Sequence, residues 1–197
     1  MKGEMIVTTT KNIQIILETA HTEIYVLTET PYSKHLFQVQ EDGEDLSTQQ
    51  QDLYRALVLN LLFVIYRSWP NINTAIAFLT TRTKQPNMDN HKNLACCVRY
   101  IRATVDMPLT IEAINSSLMR WWINAACGVH PDMKIHSIGM VSLGKGAMHS
   151  NLSKQTPNAR ISTEAEIVGV GDPISSFLWS IQLMNTQEYI IEENITF

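Results

Sequence analysis

The chain holds 197 residues, 45% hydrophobic and 17% charged, with a net charge of −4. That composition supports one large or two small domains, and it excludes a disordered tract, a collagen-like chain and a coiled-coil rod. A negative net charge supplies no general attraction for nucleic acid, which leaves such a role to a local basic face.

The β-branched run from Met5 to Thr9 predicts a short strand. Ile13, Ile16 and Leu17 then keep helical spacing over Lys11 to Thr19. Residues 22–46 carry Pro31, Gly43 and the acids Glu41, Asp42, Glu44 and Asp45, and are expected to form an exposed loop or linker. Ser47 followed by Gln50 is a capping-box signature. The run behind it, Leu53–Tyr66, is apolar nearly all round, and the expectation is a buried core helix ended by Pro70. It is too short to span a bilayer, which takes about 20 residues. Ile72, Ala75, Ile76 and Leu79 repeat the i, i+3, i+4, i+7 pattern, as do Leu94, Cys97, Val98 and Ile101 after Pro86. Three packed helices are therefore expected over residues 47–104. From Leu109 the pattern turns strand-like, with runs at Leu118–Asn124, Ile135–Leu143 and Ala147–Leu152. Leu143-Gly144-Lys145-Gly146 reads as the turn joining the last two. A helix opens at Ser162 or Thr163, and a last strand-like run covers Tyr189–Phe197. The expected fold is α/β: a helical segment followed by a mixed sheet in the order β-β-β-α-β.

The cysteines are Cys96, Cys97 and Cys127. An odd number, two of them adjacent, suits a reducing compartment, and no C-x-x-C spacing marks a zinc site. Met1–Thr10 shows no signal-peptide core. The expectation is an intracellular protein, cytoplasmic or nuclear, without a membrane segment.

Trp121-Trp122-Ile123-Asn124-Ala125-Ala126 and Val129-His130-Pro131-Asp132-Met133 are followed by Leu143-Gly144-Lys145-Gly146-Ala147, Lys154-Gln155 and Ser162-Thr163-Glu164-Ala165-Glu166-Ile167-Val168-Gly169-Val170. In this order and spacing they resemble the W-W-V-D-A, V-H-P-D-M and S-T-E-A-E-L-V-G-V motifs of copia-type retrotransposon Pol polyproteins. His35-Leu36-Phe37, Ala77-Phe78-Leu79-Thr80-Thr81-Arg82 and Arg99-Tyr100-Ile101 resemble the stretch between polymerase and ribonuclease H in the same family. The likeness runs from about residue 22 to the C-terminus. It implies a remnant of the reverse-transcriptase palm over 1–21, a thumb and connection segment over 22–110, and an incomplete ribonuclease H-like domain over 111–197.

The family activity is RNA-directed DNA polymerase with ribonuclease H. No Y-x-D-D stands in this sequence, so it offers no polymerase centre. Ribonuclease H cleavage places two Mg²⁺ ions roughly 4 Å apart, held by several carboxylates. The resemblance draws these from the first strand, the first helix, the end of the fourth strand and a later aspartate. Asn124 occupies the first position and Glu166 the second, while the last two fall beyond Phe197. Mg²⁺ is thus implied by the family, with too few anionic ligands for a two-metal site.

Thr163-x-x-Glu166 also fits a capping box, the reading favoured over a metal role for Glu166. Asp172-Pro173 reads as a cap with proline at N1, so the helix is expected to break and restart there. His130, His136 and His149 read as loop or strand-surface residues. Trp121 and Trp122 should point to opposite faces, and only Cys97 of the cysteine pair falls on a core face. Lys134, Lys145, Lys154 and Arg160 lie in a stretch, 133–163, without acids. They form either a vestigial nucleic-acid-backbone face or an ordinary solvated hairpin.

The expected function is that of a non-catalytic retrotransposon Pol remnant with at most weak binding of an RNA–DNA hybrid or other nucleic acid. The incomplete sheet implies self-association. One alternative is a partial sequence of an RNA–DNA hybrid ribonuclease with its remaining carboxylates downstream. The other is a domesticated protein-interaction module using residues 47–104.

Overall fold

The structure, a computed structural model, describes residues 3–20, 27–38, 43–114, 118–126, 134–155, 162–189 and 191–196. It divides into two compact units, residues 8–108 and residues 1–7 with 109–197.

In the first unit, helices α1 (Thr10–Thr19), α2 (Thr48–Ile65), α3 (Asn73–Thr80) and α4 (Met88–Ala103) surround one core, with a 3-10 turn at Pro70–Ile72. The capping box of α2 forms as expected: the Ser47 hydroxyl accepts from the Gln50 N–H, and the Gln50 side chain accepts from the Ser47 N–H. Asn87 and Asn90 build a second box at the start of α4. Ile72, Ala75, Ile76, Leu79, Leu94, Cys97, Val98 and Ile101 are all buried, as their spacing predicts. Fully burying an aliphatic side chain contributes about 1.5–3 kcal/mol, so this inner face stabilises the unit far more than helix propensity does. Tyr54 is buried beside it, and its hydroxyl donates to the Leu79 carbonyl at 2.9 Å.

Two expectations change here. The α2 run is not buried all round. Leu59, Phe63 and Tyr66, at i, i+4 and i+7, are 64%, 41% and 53% exposed, and the Arg67 guanidinium stands 3.5 Å over the Phe63 ring. A helix packed on one side can bury only one stripe, whatever the composition of the other. Residues 22–46 are not a wholly exposed linker either. Leu36 and Leu46 are buried, and Phe37 packs edge-to-face on Phe78 with ring centroids 5.0 Å apart.

The second unit holds two sheets. β1 (Glu4–Val7), β2 (Leu109–Ala113) and β5 (Gly144–Lys145) form one antiparallel sheet in the order β1-β2-β5. β3 (Leu118–Ala126), β4 (His136–Ser142), β6 (His149–Lys154) and β7 (Glu192–Thr196) form a mixed sheet in the order β6-β4-β3-β7. Among the described residues only the β3–β7 pair is parallel. Helix α5 (Ser162–Thr186) connects β6 to β7 and packs on β3 and β4.

The sequence pattern missed β2, which starts at Leu109. It also grouped residues 1–21, whereas β1 pairs with β2 and α1 packs among the helices. The expected Leu143–Gly146 turn contributes a short strand of its own, because Gly144 and Lys145 pair with Ala113 and Glu112. Gly146 follows at φ +74, against the Thr110 carbonyl, where no other residue fits without strain.

Helix α5 does not break at Pro173; it runs 25 residues without interruption. Proline inside a helix costs about 3 kcal/mol. Continuing keeps Gly169, Pro173, Phe177 and Ile181, spaced by four, on one buried face. Two large side chains on that face contribute about 1.5–3 kcal/mol each, which offsets the proline. Asp172 therefore lies inside the helix and not at the start of a new one.

Candidate functional site

Strand β3 alternates. Met119 and Trp121 are buried, Ile123 and Ala125 half-buried, and Arg120, Trp122, Asn124 and Ala126 exposed. Trp121 meets Phe177 of α5 edge-to-face at 5.0 Å, while Trp122 is 38% exposed on the other side. The two tryptophans thus take opposite faces, as a period of two requires.

Helix α5 comes close to this strand because position 169 carries no side chain. A Cβ there would lie 2.9 Å from the Ala125 Cβ. Glu166, one turn earlier, is thereby brought to the end of β3. Ile123, Asn124, Ala125, Glu166 and Val170 line a single cavity of about 170 Å³. The two residues singled out from the sequence, Asn124 and Glu166, are the polar members of that lining. Both are exposed, and no hydrogen bond or ion pair among the described residues holds either side chain. Glu166 does not close the expected capping box, since the helix begins at Ser162 and Thr163 already lies within it.

Pairing between β3 and β7 runs from Leu118↔Glu192 to Trp122↔Thr196, so Ile123 to Ala126 extend past the last described pair. Among the described lining residues the cavity offers one carboxylate, Glu166, because the alternation of β3 turns the Asn124 side chain to the Trp122 face, away from α5. Among the described residues no three His, Cys, Asp or Glu side chains converge on a metal-sized space. A two-metal centre needs more anionic oxygen than the one carboxylate, Glu166, that the described lining supplies.

The lysines separate. Lys154 pairs across from His136, and Gln155 donates to the Ile135 carbonyl at 2.9 Å, so Lys134 and Lys154 share the open end of the β4–β6 hairpin. Asn124 pairs with Ile138 and Ala126 with His136, which places β3's outer end on the same side. Lys145 follows the far end of β4, about 20 Å away at the rise of an antiparallel strand. It pairs with Glu4 at 3.4 Å and lies across from Glu112. The four basic residues are thus not one face: Lys145 belongs to the other sheet and is matched by acids. Arg160 lies outside the described residues, as do Cys127, His130 and Asp132.

His136 is buried, not a surface residue, and His149 stands at the opposite end of the hairpin, so the two form no common site. Cys97 is buried and its thiol donates to the Pro31 carbonyl at 3.0 Å, while Cys96 is half-buried. Burial pushes the Cys97 thiol pKa up from its ordinary value, which disfavours the reactive thiolate.

The sequence pattern also missed an apolar cavity of about 480 Å³ at the other end of β3. Met119, Val141, Met148, Trp179 and Leu183 line it, with hydroxyls from Ser176 and Ser180. The available signal was α5 itself, whose stretch from Ile167 to Gln187 carries a single charge, Asp172.

Among the described residues no helix is long and apolar enough to cross a membrane. No protein-family model matches the chain. No solved structure matches it either.

Proposed function

We propose that the chain derives from a copia-type retrotransposon Pol polyprotein, where the reverse-transcriptase thumb and connection meet a ribonuclease H-like domain. We further propose that it engages RNA–DNA hybrid weakly without cleaving it. The observation that carries this reading is the cavity shared by Asn124 and Glu166. The resemblance draws its catalytic positions from a first strand, a first helix and the end of a fourth strand. Among the described residues β3 and β7 are the one parallel pair, and Gly169 lets α5 deliver Glu166 beside β3.

Loss of cleavage follows from charge. An amide at Asn124 cannot replace the anionic oxygen that a pair of divalent cations demands. What remains is backbone attraction, with Lys134 and Lys154 at the same end of the sheet.

The test is incubation of the full chain with an RNA–DNA hybrid in Mg²⁺. The RNA strand is expected to stay intact, with weak binding that fades as salt rises. Cleavage that disappears in Glu166→Gln would overturn this reading in favour of a working ribonuclease. Origin has its own test in the gene: a polymerase aspartate motif is expected upstream in the same frame, and unrelated coding sequence on both sides would sink it. A role as an interaction module is favoured by one observation, the exposed Leu59, Phe63 and Tyr66 stripe of α2.

A further inference from the structure

In the helical unit, the turn after α3 faces the segment that precedes α2. Gly43 and Asp45 on one side, and Thr81, Arg82, Lys84, Gln85 and Asn87 on the other, enclose a cavity of about 320 Å³. Its frame is fixed from both sides. The Met88 N–H donates to the Glu44 carbonyl at 2.9 Å, and Asp45 bridges to Asn87. Arg55 of α2 donates to the carbonyls of Thr83 at 2.9 Å and Lys84 at 3.2 Å. Those carbonyls follow the C-terminal end of a helix, which would repel an anion if left bare. Arg55, itself paired with Asp52 at 3.0 Å, satisfies those carbonyls and holds the turn.

Two cations remain uncommitted. The Arg82 Nε–H is buried and meets no acceptor. Among the described residues neither Arg82 nor Lys84 enters an ion pair, and neither donates a side-chain hydrogen bond. A buried charged donor without an acceptor is costly, and such groups in folded proteins commonly mark a place for a water or an ion. Guanidinium and ammonium groups together match a phosphate group, which accepts a forked pair from arginine and a point charge from lysine.

We propose that this cavity binds a small phosphorylated, hydroxyl-bearing molecule, with its phosphate group between Arg82 and Lys84. Asp45 and Gln85 stand on the same walls and serve its hydroxyls. The volume suits a small ligand. The acidic edge of Glu44 and Asp45 disfavours the long polyanion of a nucleic-acid backbone, which would have to run past it. The site lies wholly within the helical unit and does not depend on the ribonuclease H-like reading.

The experiment is calorimetric titration of the full chain with ribose 5-phosphate, inorganic phosphate and ribose, at constant ionic strength. Saturable binding is expected for both phosphates, tighter for the ester, and none for ribose. Lys84→Gln and Arg82→Lys should each weaken binding about tenfold, the loss of one charge-assisted contact, while Lys11→Gln on α1 leaves it unchanged. The Lys84 ammonium holds no partner among the described residues, so Lys84→Gln should keep the parent melting temperature and report on binding alone. The proposal is overturned by an absence of saturable heat with either phosphate, by undiminished affinity in Lys84→Gln, or by ribose binding as tightly as its phosphate. An oligonucleotide without terminal phosphates that binds as tightly as ribose 5-phosphate, with the same dependence on Lys84, would also overturn it.

Discussion

Pro173 of α5 seats directly on Gly139 of β4: a Cβ added at position 139 would lie 2.6 Å from the proline Cβ and 2.8 Å from its Cγ. The proline ring is rigid and the strand is paired on both sides, so neither partner can yield cheaply. Gly139→Ala should therefore destabilise the protein by about 1–3 kcal/mol, the usual cost of overpacking. Gly171→Ala is the control, because nothing lies within 4 Å of a Cβ there. It should stabilise by about 0.5–1 kcal/mol through helix propensity. Urea denaturation monitored by circular dichroism compares the two, and equal midpoints would count against the close seat.

The capping boxes at Ser47 and Asn87 each satisfy donors at the start of a core helix. Ser47→Ala and Asn87→Ala should each lower stability by about 1 kcal/mol, while Ser47→Gly costs only a few tenths. The order alanine below glycine below parent, read from denaturation midpoints, is the signature of a cap and not of lost bulk.

Alkaline pH should weaken the helical unit through Cys97 and Tyr54. Burial raises both pKa values, from ordinary values of 9.0 and 10.0. In the unfolded chain these groups lose protons near their ordinary values, whereas the folded chain retains them. Above about pH 9 the folded state thus binds more protons, and stability falls as pH rises. Unfolding free energy measured from pH 8 upward should decline less steeply in Cys97→Ala, whatever its starting value. In a Cys127→Ser background, a disulfide thiol reagent should titrate Cys96 in the native protein and reach Cys97 only after unfolding.

For nucleic-acid binding, position within the sheet decides which lysine matters. Lys134→Gln and Lys154→Gln should each weaken hybrid binding and reduce its salt dependence by roughly one phosphate contact. Lys145→Gln should leave binding unchanged, since that side chain is matched by Glu4. Fluorescence anisotropy over a salt series checks this. Equal losses at all three positions would mean that the hairpin binds as one basic surface after all.

Much of the helical unit was legible in the sequence, because its signals are local. The Ser47/Gln50 box, the buried rows on α3 and α4, and the inward Cys97 all follow from a period of 3.6 and bonds three or four residues apart. The opposed Trp121 and Trp122 follow from a period of two. The Asn87/Asn90 box was missed because its second member is Asn, not the usual Glu or Gln.

Local pattern along the chain sufficed for the helices of residues 47–104, for the strand runs after residue 117, and for Asn124 and Glu166 as the residues worth weighing. The pairing of β1 with β2, about 105 residues on, emerged from the folded chain, since strand pairing has no local signature. The passage of α5 through Pro173 likewise depends on packing, because it needs the room left by Gly139 on a different strand. Lys145 parts from Lys154 for the same kind of reason: two residues of an apparent turn are claimed by another sheet. The shared cavity of Asn124 and Glu166 and the orphaned Arg82 donor arise where separate segments approach in space. Periodicity along the chain fixes which face a residue takes, and packing between segments fixes what that face meets.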